Sequence, residues 1–162
     1  MKEMLLKNQA YFFIAVLAVL VLPAHFFSFL CPFVLGEAGC AVTYLPPDKG
    51  LLSVFIVGSV IGPLIETAVF QLLPVTCYNR FIPKKSLQTK QLLIGGSGLA
   101  FGATHHYNLL TVIDATIAGI LFCIVFFYYQ ERGRSGFFYT FLLHALFNTY
   151  AFVLDDVLHL GK

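Results

Sequence analysis

The sequence predicts an all-α, polytopic membrane helix bundle of about five transmembrane helices with the N-terminus inside. Three observations carry this reading. The 162 residues are 59% hydrophobic and only 11% charged, whereas a soluble domain carries about 25% charge to cover its surface. Apolar stretches at 10–30, 51–73, 87–105, 109–129 and 137–154 approach or reach the roughly 20 residues a spanning helix needs. The Lys and Arg residues gather in alternate connections between those stretches, which is the pattern that sets orientation in membranes.

The first stretch follows Lys2 and Lys7 and has the outline of a signal peptide. It continues through Pro23 and His25 into "HFFSFLCPF" without a small-x-small cleavage site, and "SFLC" has Leu30 where a lipobox has a small residue. It therefore reads as a retained helix. The second stretch holds one formal charge, Glu66. The third is diluted by Gly95, Gly96, Gly98 and Gly102. Small residues at i and i+4, as at Gly98 and Gly102, let helix backbones approach closely, so this helix is expected to be an inner one. The fourth contains Asp114 and Cys123, the latter read as a small packing residue. The fifth contains His144 and Asn148.

Lys2 and Lys7 precede the first helix; Arg80, Lys84, Lys85 and Lys90 join the second and third; Arg132 and Arg134 precede the fifth. Those places hold eight of the ten basic residues, and the opposite side holds Lys49 and Lys162. The expected organisation is an N-terminal helix and outer loop over 1–50, a four-helix core over 51–154 and a tail over 155–162. Cys31 and Cys40 share the outer loop and can pair if it faces an oxidising compartment. The charge asymmetry suits a bacterial inner membrane.

Composition also excludes functions. No basic block with interleaved aromatics and no Gly-rich phosphate loop is present, so nucleic acid and nucleotides are not expected partners. The four cysteines show no C-x-x-C spacing, which removes the usual zinc and redox motifs.

The polar residues within the spans remain. A carboxylate near the centre of a bilayer costs roughly 2.5–3.5 kcal/mol on insertion scales, so Glu66 calls for a specific partner or a chemical task. His144 and Asn148 are four apart in "HALFN", as are Phe101 and His105 in "FGATH", which puts each pair on one helix face. Asp114 and His106 are expected to pair near the outer surface, and His25 and His159 to be incidental. The estimated depths put Glu66 roughly 6 Å to the inner side of the centre and His105 roughly 10 Å or less to the outer side. A carboxylate and an imidazole together can take a proton from water, and a second imidazole with an amide N–H can hold an oxyanion. The same Glu66, His105 and His144 could equally ligate a divalent metal such as zinc with a position left open for water. A structural reading, polar groups bonding helix to helix, stands beside both.

"PLIETAVFQLLP", "FGATH" and "HALFN", in that order on successive predicted helices, resemble the CPBP family of CAAX-prenyl endopeptidases and bacteriocin-processing or immunity proteins, also called Abi. The family motifs read E-E-x-x-x-R, F-x-x-x-H and H-x-x-x-N or D, and the resemblance spans roughly 51–154. It implies an intramembrane endopeptidase in which Glu66 and His105 activate water while His144 and Asn148 stabilise the oxyanion, with or without a metal. The implied substrate is a peptide or membrane protein in the bilayer, with or without a lipid group. Thr67 replaces the second family glutamate and Gln71 the arginine, so one carboxylate and one guanidinium are exchanged together for what is expected to be a hydrogen-bonding Thr/Gln pair that supports the site, as does Phe101. Two further readings compete: a catalytically silent relative acting as a peptide-binding scaffold or immunity protein, and a small proton-linked transporter. The transporter would ordinarily show an internal repeat, and none is visible.

Overall fold

The computed structural model describes residues 2–40, 50–84 and 86–158, the side chains of 2–6 and 38 excepted. Lys49, Lys85, His159 and Lys162, which entered the orientation and site arguments, lie outside the described residues, as does most of the loop before the second helix.

Five helices form, one for each apolar stretch: α1 (Lys2–Cys40), α2 (Leu51–Phe81), α3 (Leu87–Thr104), α4 (Leu109–Gln130) and α5 (Gly136–Val157). The protein is an integral membrane protein. Among the described residues, 7–37 of α1 together with α2, α4 and α5 are long and apolar enough to cross a membrane. The 18 residues of α3 reach about 27 Å, and Gln88, Lys90 and Gln91 in its first turns make it more polar than the other four.

Local chemistry sets the helix starts. Ser86 caps α3 in a reciprocal box with Thr89, Asn108 accepts from the Thr111 amide at 2.9 Å to cap α4, and Ser135 does the same for Phe138 at the start of α5. Each supplies an acceptor for an amide that has no partner within its helix. In α1 the backbone leaves helical geometry at Gly36, with φ of 70°, a conformation glycine adopts without penalty.

α4 is the inner helix, correcting the expectation for α3. Ten of its residues are buried, Phe122, Cys123 and Val125 completely. α3 buries one stripe, Ser97, Gly98, Phe101 and Gly102, and exposes Gln88, Gln91, Leu92 and Leu99 on the other side. The glycines do bring backbones together as expected. A Cβ on Gly102 would lie 2.0 Å from Thr116 Oγ1 and 2.7 Å from the Val112 carbonyl, and one on Gly98 2.9 Å from the Thr116 carbonyl. Close approach along one stripe needs small residues on one face only, and this does not place the helix at the centre.

α1 runs antiparallel to α4. Tyr129 donates to the Gln9 carbonyl at 2.8 Å near one end, and Asn108 donates to the Gly39 carbonyl at 3.4 Å near the other. Val16 and Leu20 join Phe101, Phe122, Tyr129 and Leu143 in the main core. His25, expected to be incidental, bonds Tyr150 at 2.5 Å and so ties α1 to α5. Cys31 and Cys40 form a disulfide, with Cα atoms 5.8 Å apart. They sit on the last turns of α1 rather than on a loop, because α1 extends ten residues beyond its predicted end at 30.

α2 contains two π-helical segments, Ile56–Ile61 and Ala68–Leu72, on either side of the α-helical Gly62–Thr67. Ser59, Pro63, Thr67, Gln71 and Val75 are all buried. A strict spacing of four drifts around an ideal α-helix by roughly 40° per step. The wider π turns offset that drift, which keeps all five residues on the face turned toward the other helices.

Candidate active site

Glu66 lies fifteen residues from each end of α2. It is therefore at mid-helix, rather than displaced inward as the shorter predicted span implied. Its carboxylate Oε2 stands 3.4 Å from Nε2 of His144, whose ring is almost fully buried while Glu66 is about one-third exposed. On the far side of that ring, Nδ1 faces the Thr67 hydroxyl at 3.4 Å. Two successive residues of α2 thus hold both nitrogens of one imidazole on α5. For a neutral ring, a carboxylate at Nε2 requires an N–H there, which leaves Nδ1 as the acceptor for Thr67 Oγ–H.

Aromatic rings complete the surroundings of His144. Phe122 of α4 stacks on it at 4.4 Å and Phe101 of α3 meets it edge-on at 5.6 Å. Phe101 also lies 4.6 Å from the ring of His105, so one phenyl group separates the two imidazoles. Phe122 was not singled out in the sequence. It lies in a continuous apolar run, where periodicity cannot distinguish a ring that supports a site from one that fills a core.

His105 follows the last turn of α3. Its Nδ1 bonds the Phe101 carbonyl at 2.9 Å, and because a carbonyl only accepts, Nδ1 carries the proton and Nε2 the lone pair. Thr104 donates to the same carbonyl at 2.7 Å. His105 lies within electrostatic reach of Glu66, His144 and Asp114. No hydrogen bond or ion pair between Asp114 and His106 is seen among the described residues; the ring of His106 stacks on that of Tyr107.

Asn148 is one turn beyond His144 on α5 and donates to the Gly58 carbonyl of α2 at 2.9 Å. The structure thus brings Glu66, Thr67, Phe101 and His144 into contact, sets His105 across Phe101 from His144, and turns Asn148 to the backbone of α2. The expected Thr67–Gln71 bond does not form. Thr67 is engaged with His144, and Gln71 is fully buried with neither side-chain polar atom hydrogen-bonded. Both residues lie on the buried stripe, but only Thr67 is level with His144. Among the described residues, no three His, Cys, Asp or Glu side chains are grouped so as to hold a metal ion, and the set Glu66, His105 and His144 is not arranged as one.

A family model described as type II CAAX prenyl endopeptidase Rce1-like matches residues 48–150. No curated protein and no solved structure matches the chain. The matched segment contains Glu66, Phe101, His105, His144 and Asn148.

Proposed function

The chain belongs to the type II CAAX prenyl endopeptidase Rce1-like family, and on that premise we propose that it cuts a peptide bond at or within the membrane using Glu66, His105, His144 and Asn148. The observation that carries the assignment is the different partners of the two imidazoles, a carboxylate at Nε2 of His144 and a carbonyl at Nδ1 of His105, which call for opposite tautomers. His105 offers a lone pair at Nε2, which suits a group that accepts a proton. His144 offers an N–H at Nε2, which suits a group that donates to negative charge.

The roles follow. Glu66, with His105, takes a proton from water as the water oxygen attacks the scissile carbonyl carbon. The carbonyl electron pair moves onto oxygen, and that oxyanion accepts from His144 Nε2–H, which Glu66 releases as its carboxylate takes up the proton of water. An amide group has two N–H donors; Asn148 uses one on the Gly58 carbonyl and has the other for the oxyanion. Collapse breaks the C–N bond, and the proton held by Glu66 and His105 passes to the leaving amine. Thr67 supports the tautomer of His144 by donating to Nδ1, and Phe101 orients His105 through its carbonyl and spaces the two rings. No step passes through a metal, because the donors are not grouped to share one.

The substrate we propose is a peptide or a membrane-protein segment lying in or against the bilayer. The test is Glu66→Gln in purified, reconstituted protein. Cleavage should be lost while the detergent-extracted protein keeps its elution profile and thermal midpoint. Unchanged cleavage in Glu66→Gln would reject these roles, and function surviving joint replacement of Glu66 and His144 would favour the silent scaffold instead.

A further inference from the structure

At the end of the bundle where α2 stops, α3 begins and α4 ends, the three helices border a cavity of about 530 Å³. It shares no residue with the candidate active site, and its volume falls in the range of small-molecule pockets, roughly 300–1,000 Å³. The lining is built around one ion pair. Lys90 Nζ lies 2.5 Å from Glu131 Oε1, which joins α3 to the residue that caps the C-terminus of α4. The Lys90 ammonium also stands 4.7 Å from the centre of the Phe127 ring. Tyr78 meets that ring edge-on at 6.0 Å, and the two buried aromatics form one wall. Asn79 and Gln130, both exposed, add two primary amides.

The ion pair has binding capacity to spare. An ammonium carries three N–H donors and a carboxylate two acceptor oxygens. The Lys90–Glu131 bond uses one N–H and Oε1, which leaves two N–H groups and Oε2. Among the described residues the lining carries no other formal charge, so a cation and an anion lie side by side. A purely anionic ligand meets repulsion from Glu131, and a purely cationic one meets it from Lys90. The complementary ligand carries both signs close together: a phosphate for Lys90 and an N–H-bearing ammonium for Glu131, beside aromatic faces that attract cations.

Position supplies the rest. Arg80, Lys84, Arg132 and Arg134 gather at this end, as basic residues do where helices leave the hydrocarbon for the headgroup layer. Leu87 and Ile94 share the Lys90 face of α3, at the three- and four-residue spacings that place side chains together. Toward the bilayer interior this face therefore continues as apolar surface. We propose that the cavity binds the headgroup of a phospholipid bearing a phosphate and a primary ammonium, the phosphatidylethanolamine class. Lys90 holds the phosphate, Glu131 holds the ammonium, and the acyl chains lie along α3. A lipid so held bonds α3 and α4 at once and stabilises the bundle. The site is independent of the endopeptidase reading.

The test incubates purified full-length protein in detergent with an equimolar mixture of phosphatidylethanolamine, phosphatidylcholine and phosphatidylglycerol of matched acyl chains. Native mass spectrometry then reads the lipid retained. Expected is phosphatidylethanolamine retained about tenfold above either of the others, the effect of one hydrogen bond to a charged group, with a thermal midpoint raised by that lipid alone. Phosphatidylcholine has the same charges but no ammonium N–H, so equal retention of the two overturns the role of Glu131. Preference for phosphatidylglycerol overturns the proposal in favour of plain attraction to the basic residues. Glu131→Gln should abolish the preference while keeping the wild-type elution profile, and Lys90→Gln should lower retention by a similar factor. Unchanged preference in either variant overturns the site. Displacement of the lipid by soluble phosphoethanolamine at equal concentration would overturn the assignment to a lipid.

Discussion

The hydroxyl of Thr67 donates to Nδ1 of His144 and so supports the tautomer that the Glu66 carboxylate selects at Nε2. Removing it takes that support away. A hydrogen bond of this kind contributes about 1 kcal/mol, so Thr67→Val should lower kcat by roughly fivefold in a cleavage assay, and Thr67→Ser should retain it. Equal loss in both variants would show that Thr67 acts through packing instead. His144→Ala removes the proposed oxyanion donor, and a loss of about 10²–10³ in kcat is expected. Gln71 is predicted to behave in the opposite way. An amide buried without a partner loses its hydration and receives nothing in return, so Gln71→Leu should leave the thermal midpoint of the extracted protein unchanged or raise it. A fall in the midpoint would mean that Gln71 is satisfied by a group or water that its protein neighbours do not supply. At this scale the sequence singled out Glu66, His105, His144 and Asn148 as candidates through their cost in lipid and their spacing. It could not disclose tautomers, because a ring's proton is set by partners brought close only by the fold: Glu66 and Thr67 for His144, and the Phe101 carbonyl for His105.

Among the helices, α2 does most to build the site, because its π turns hold Thr67 on the buried stripe and leave Glu66 beside it, partly exposed. Those turns left no mark in the apolar run, whose composition is the same whether the turn is α or π. The length of α2 was also underestimated, since "PVTCYNRF" after Leu73 is too polar to count as a span yet continues the helix. α3 was legible in its extent and in its glycine stripe, but its depth in the bundle was misread because close packing along one stripe resembles burial all round. The stripe makes its own prediction. Gly102 faces the backbone of α4, which cannot move aside as a flexible side chain would, so Gly102→Val should destabilise the protein by about 1–3 kcal/mol. Thermal unfolding in detergent measures this, and substitution at Gly95, which has nothing within 4 Å, serves as the control.

For the whole molecule, composition alone established a membrane bundle, and the ordered motifs of α2, α3 and α5 led to the family that the matched segment shows. The contribution of α1 was hidden. Its contacts with the core through Val16 and Leu20 and its bond from His25 to Tyr150 depend on residues far along the chain, and its disulfide closes across the kink at Gly36. Glu66 stands at mid-helix with an imidazole 3.4 Å away, and a general base, the role proposed for it, contributes about 10²–10⁴ in rate. The central claim is that this carboxylate activates water for peptide hydrolysis. The most direct measurement incubates purified wild-type and Glu66→Gln protein with membranes and identifies new peptide N-termini by chemical labelling and mass spectrometry. New N-termini that appear with wild-type protein and are absent with Glu66→Gln are the predicted result; the same set of N-termini from both proteins would contradict it.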